Sequence, residues 1–176
     1  MGEIEQKLIE LQNEYAQLAL KNWFTSSLFT WDWWFLVLGF IVPWIIFFIL
    51  LDSKRALQIW CFGLIVMVIT SFADDLGSEM GAWVYPIKLV PFGLLAYPFD
   101  FTIIPVTFML IYQYCSKWRT YIIFLFFTAF IFSFIGEPLS VSLGFVTYVK
   151  WRYVCSFAFY IVTGLVSRLF IEKISL

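Results

Sequence analysis

Five carboxylates stand at the edges of long uncharged runs: Asp74 and Asp75 close one, Glu79 follows, Asp100 opens the next, and Glu137 closes a third. An ionisable side chain at membrane depth costs several kcal/mol unless it is paired, hydrated or bound to something, so each is a site candidate by default. Carboxylate oxygens suit hard cations such as Mg²⁺, Ca²⁺ or Na⁺, or a proton relay, and without His or paired Cys they suit soft transition metals poorly. Between Glu79 and Asp100 lie Pro86, Pro91 and Pro98, together with Tyr85 and Lys88, the two accessory candidates. One ammonium cannot neutralise five carboxylates, so either some hold protons or a cation sits among them.

The rest of the inventory narrows the chemistry. The chain contains no histidine, which removes the side chain most used for proton transfer near neutral pH and the commonest metal ligand. Cys61, Cys115 and Cys155 are odd in number, far apart and set in apolar runs, so they form neither a disulfide framework nor a zinc spacing. Any reaction would have to run on carboxylates, Lys, Tyr, Ser, Thr or Cys.

The elements that position these groups follow from composition. Of 176 residues, 62% are hydrophobic and only 13% charged, against about 25% charged in soluble domains, which makes this an integral membrane protein. Net charge is −1, and no nucleic-acid partner is expected. The expected fold is all-α, a polytopic helical bundle with about five spans over residues 33–51, 56–75, 99–115, 119–137 and 152–171. The first run, nineteen uncharged residues from 33 to 51, reaches about 28 Å at helical rise and matches the hydrocarbon core. Pro43 is expected to bend that span and Pro105 the third. Residues 84–98 are too short and too rich in proline for a spanning helix, so they are read as a re-entrant or interfacial segment packed over the acidic ends.

Residues 1–24 form a separate amphipathic segment ahead of the transmembrane domain at 25–176. Ile4, Leu8, Leu11, Tyr15 and Leu18 recur at alternating four- and three-residue spacing and make one apolar stripe. That helix lies at the interface, against its own bundle, or against a partner or second copy of the chain. Trp23, Trp31, Trp33 and Trp34 mark the membrane boundary. In the fifth span Ser156, Tyr160, Thr163 and Ser167 share one face, which serves helix packing or lines a polar cavity, and Arg168 is placed to snorkel outward. The start lacks the basic and apolar regions of a secretory signal, so no cleavage is expected.

Five spans put the termini on opposite sides. The positive-inside rule then favours an external N-terminus, with six of the eleven Lys and Arg residues inside: Lys54, Arg55, Lys117, Arg119, Arg168 and Lys173. All five candidate carboxylates then fall at the outer leaflet.

The strings DDLGSEMGAWVYPIKLVP, DFTIIPVTFMLIYQY, GEP and WRYVCSF, in this order and spacing, resemble an uncharacterised family of small polytopic membrane proteins from spore-forming Gram-positive bacteria. The similarity covers most of residues 31–170. It implies a multi-pass location in the bacterial cytoplasmic membrane and a helical architecture, and it carries no catalytic residue across. Three functions fit the residues: cation binding or proton relay by the acidic cluster, a structural or partner-binding subunit, and a membrane-embedded enzyme acting on a lipid or isoprenoid headgroup. For the last, Asp74, Asp75 and Glu79 are similar to the aspartate-rich diphosphate motifs of prenyl-transferring enzymes. The spacing is DDxxxE, however, and no second motif or Arg/Lys cluster accompanies it.

Overall fold

The computed structural model describes residues 2–93 and 96–174, and the chain is an all-α bundle. Helix α1 (Glu3–Asn22) runs into a π-helical turn at Trp23–Ser27, followed by α2 (Trp31–Leu50) and α3 (Ala56–Glu79). A second π-turn at Phe99–Ile103 leads into α4 (Ile104–Tyr114). Helix α5 (Trp118–Ile131), a third π-turn (Phe132–Gly136) and α6 (Glu137–Ser142) form one continuous rod, and α7 (Tyr153–Ile174) ends the fold. Four of these rods, Trp31–Leu50, Ala56–Glu79, Trp118–Ser142 and Tyr153–Ile174, are long and apolar enough to cross a membrane. The third expected span, 99–115, is shorter: Phe99–Tyr114 has five residues of π-turn and eleven of α4. At helical rise it reaches about 24 Å, short of the roughly 30 Å hydrocarbon core.

The core is where α2, α3, α4, α5 and α7 meet: Phe47, Phe62, Phe108, Met109, Tyr121 and Leu125 are almost wholly buried. Gly63 lets α3 and α4 approach, since a Cβ there would lie 2.2 Å from Met109 Sδ. Small residues serve this role between membrane helices, where packing rather than water drives association. Outward faces are apolar instead, with Ile49, Phe127 and Val154 exposed, as a lipid-facing surface requires.

Residues 85–93 carry no helix, in keeping with the expected irregular segment; Leu94 and Leu95 of that segment lie outside the described residues. Its carbonyls are met from the aromatic boundary: the Trp23 indole donates to Lys88 O at 3.1 Å and the Trp33 indole to Leu89 O at 3.0 Å. Irregular backbone is tolerated at membrane depth only where such partners cover it. Helix α1 contributes Tyr15 against Lys88, while Ile4, Leu8 and Leu11 of its stripe stay exposed.

Two expectations about helix ends are corrected. Asp74 and Asp75 lie inside the last turns of α3, which continues to Glu79. Glu137 does not end the fourth span, because the π-turn absorbs Pro138 and the helix runs on to Ser142. Arg168 does not snorkel. Its guanidinium is buried and donates to Glu172 Oε1 at 2.8 Å, Cys115 O at 2.9 Å and Ser116 O at 2.5 Å. It lies 4.5 Å from the ring centroids of both Trp118 and Tyr121. The physical reason is that the chain breaks between α4 and α5, leaving carbonyls without helical partners, and a planar fork satisfies two of them at once.

Candidate functional site

The two prolines that follow acidic residues are built into the helices by the same device. A proline lacks the N–H that a regular α-helix needs and crowds the carbonyl four residues back. In both cases the preceding residue instead donates five residues back, Ile104 N–H to Phe99 O and Glu137 N–H to Phe132 O. In both, a hydroxyl two residues after the proline bonds back four: Thr107 Oγ1 to Ile103 O at 2.6 Å, Ser140 Oγ to Gly136 O at 2.9 Å. The local widening re-aims side chains, which is why π-turns inside α-helices concentrate at functional sites. Here the first contains Asp100 and the second immediately precedes Glu137.

Both carboxylates, with Asp74 from α3, line one cavity of about 320 Å³. Its cover is a short antiparallel pair, β1 (Trp83–Val84) with β2 (Thr147–Tyr148), in the register Trp83 opposite Tyr148. Trp83 lies over α3 because Gly77 leaves room; a Cβ there would come within 2.0 Å of the ring. From that seat its indole donates to Asp74 Oδ1 at 3.0 Å, and the Tyr85 hydroxyl donates to the same oxygen. Burial first, then the Asp74 and Asp100 carboxylates, push the Tyr85 phenol well above its usual range, so it remains a donor.

Glu137 accepts from Ser156 Oγ at 2.8 Å and from the Tyr160 hydroxyl at 3.1 Å. The Trp151 indole donates to Ser156 Oγ at 2.7 Å, extending the chain of bonds. Tyr148, pushed upward by burial and by the neighbouring Glu137, likewise keeps its proton. Asp100 differs from the other two. It is 5% exposed, and its Oδ2 has no hydrogen-bond partner among the described residues.

The other sequence candidates fall elsewhere. Asp75 and Glu79 do not line the cavity, and Glu79 is exposed. Adjacent residues on a helix point about 100° apart, so Asp74 and Asp75 cannot both face it. Of the accessory pair, Tyr85 joins the site, while the Lys88 ammonium turns to the Tyr15 hydroxyl of α1 at 2.9 Å. Within the polar face of α7, Ser156 and Tyr160 reach the cavity. Thr163 and Ser167 are buried in helix packing. Sequence reasoning missed Tyr148, Trp151 and Phe159, which complete the aromatic wall. The turn glycine Gly144 followed by Thr147–Tyr148 was the available signal for a strand there.

Among the described residues no Lys or Arg lines the cavity, and no three carboxylates or thiols are grouped closely enough to hold one metal ion. The arrangement can hold a positive charge against Asp100, or a proton, between walls otherwise made of rings and aliphatic groups. Fold and composition define an integral membrane protein of the all-α class. No family model matches the chain, and neither curated proteins nor solved structures give a match.

Proposed function

We propose that the chain is a multi-pass membrane protein that binds a cation in the cavity beneath the β1–β2 pair, with Asp100 as the principal counter-charge. One observation carries this reading: the Asp100 Oδ2 is buried without a hydrogen-bond partner among the described residues, in a cavity they line with two further carboxylates and no basic side chain. A desolvated carboxylate costs several kcal/mol unless a positive charge or a proton compensates it. Asp74 and Glu137 each have donors within the fold, which a purely structural role would explain; the Asp100 Oδ2 has none among the described residues. An anionic lipid diphosphate fits less well, because three carboxylates would repel it and no Lys or Arg lines the cavity to receive it. The resemblance noted in the sequence adds the bacterial cytoplasmic membrane as the expected location.

The test is thermal unfolding of the purified protein over a panel of inorganic and organic cations. A ligand at a hundredfold excess over its dissociation constant adds about 2.7 kcal/mol of stability, large enough to see as a shifted melting temperature. At least one cation should shift wild type, and Asp100→Asn should reduce that shift by half or more. A wild type indifferent to the whole panel would leave the structural or partner-binding role.

A further inference from the structure

The cavity's size and walls indicate which kind of cation it takes. Hard metal ions bind where six or more oxygens converge at 2–2.6 Å. Asp74, Asp100 and Glu137 come from three different elements and are not grouped as a metal site. A space of about 320 Å³ is far larger than a dehydrated ion needs and falls at the lower end of small-molecule pockets, which run to about 1,000 Å³.

The walls are aromatic. Trp83, Phe99, Trp151, Phe159 and Tyr160 line the space along with the acids. Aromatic faces attract cations through their quadrupoles and accept apolar bodies through burial, and they do both best where water is excluded. Asp100 Oδ2, buried and without a donor among the described residues, calls for an N–H rather than for a bare charge, because a charge-assisted hydrogen bond would satisfy it.

We infer that the cavity is a binding site for a protonated organic amine whose apolar or aromatic body packs on the Trp83, Trp151 and Phe159 side, with its ammonium N–H donated to Asp100. This rests on the cation reading above and deepens it. Recognition divides the ligand into two parts. The carboxylate selects for positive charge, and the rings select against small hydrated ions, which would have to give up their water without gaining enough oxygens. Trp83 and Tyr85, both bonded to Asp74, hold the cover in place over the bound amine.

The experiment compares benzyldimethylamine, protonated at neutral pH, with its neutral carbon isostere isobutylbenzene. Wild-type protein in phosphatidylcholine nanodiscs is titrated with each at matched lipid-phase concentration, and with NaCl, KCl and MgCl₂. The amine is expected to raise the melting temperature while the isostere does not, and Asp100→Asn is expected to weaken amine binding by roughly ten- to a hundredfold. Phe159→Leu, which keeps an apolar wall but removes a ring, should weaken it by roughly two- to fivefold. Equal stabilisation by the isostere overturns the inference, as does undiminished amine binding in a folded Asp100→Asn. Should Asp100→Asn fail to fold, the wild-type comparison of amine with isostere decides alone. Stabilisation by Na⁺, K⁺ or Mg²⁺ but not by the amine overturns this inference and leaves the cation reading standing; indifference to every cation removes both.

Discussion

At the scale of single residues, two buried contacts govern opposite ends of the bundle. Gly77 is the first. Alanine there would place a Cβ against the Trp83 ring, so Gly77→Ala should lift the indole from Asp74 and cost about 1–3 kcal/mol, the usual penalty for overpacking. Trp83→Phe keeps an aromatic ring but removes the indole N–H together with the five-membered ring, so its loss should combine about 1 kcal/mol for the hydrogen bond with the cost of the space left in a buried position. Thermal unfolding of the two variants checks this; a Gly77→Ala protein as stable as wild type would show that Trp83 is not held by α3. Arg168 is the second. Arg168→Met strands the Cys115 and Ser116 carbonyls and should lower stability by about 3 kcal/mol. Arg168→Lys should recover little of it, since a single ammonium cannot reproduce the fork. Full recovery in the lysine variant would mean that charge, not geometry, is what matters there.

At the scale of elements, the helices were legible and the site only partly so. Uncharged runs near nineteen residues, closed by Asp52–Arg55 and Lys117–Arg119, announce spans because few other structures tolerate such composition. Proline was harder to read: Pro105 and Pro138 suggest a bend and a stop, yet both are absorbed by π-turns whose hydrogen bonds depend on neighbouring hydroxyls and packing. The β1–β2 pair joins residues more than sixty positions apart, a contact that local periodicity cannot contain. So Asp74, Asp100 and Glu137 could be suspected from their place beside apolar runs, whereas Tyr148, Trp151 and Phe159 could not. The π-turns carry their own prediction. Pro105→Ala supplies the missing N–H and should let Phe99–Ile103 relax toward a regular α-helix, rotating Asp100 away from the cavity. Melting temperature should hold or rise while the cation-dependent shift shrinks; an undiminished shift would mean that the π-turn does not aim Asp100.

At the scale of the molecule, the two ends differ in chemistry. Arg55, bonded to Gln113 O, and the Arg168–Glu172 pair cluster where α2 ends and α3 begins, and the three cavity acids lie toward the other end of the bundle. With the basic end inside, cysteine at Ser53 should label with an impermeant thiol reagent only after cells are opened, and cysteine at the exposed Lys150 should label in intact cells. Cys61, Cys115 and Cys155 are removed first. The reverse pattern would invert the orientation and leave the cavity unchanged. Whether Asp100 is the counter-charge for a bound cation is decided by titration calorimetry of wild type against Asp100→Asn. Saturable binding of one cation, organic or inorganic, per wild-type chain is expected, with affinity lower by roughly ten- to a hundredfold in the variant. Equal binding by the two proteins, or no saturable binding by wild type, would contradict it.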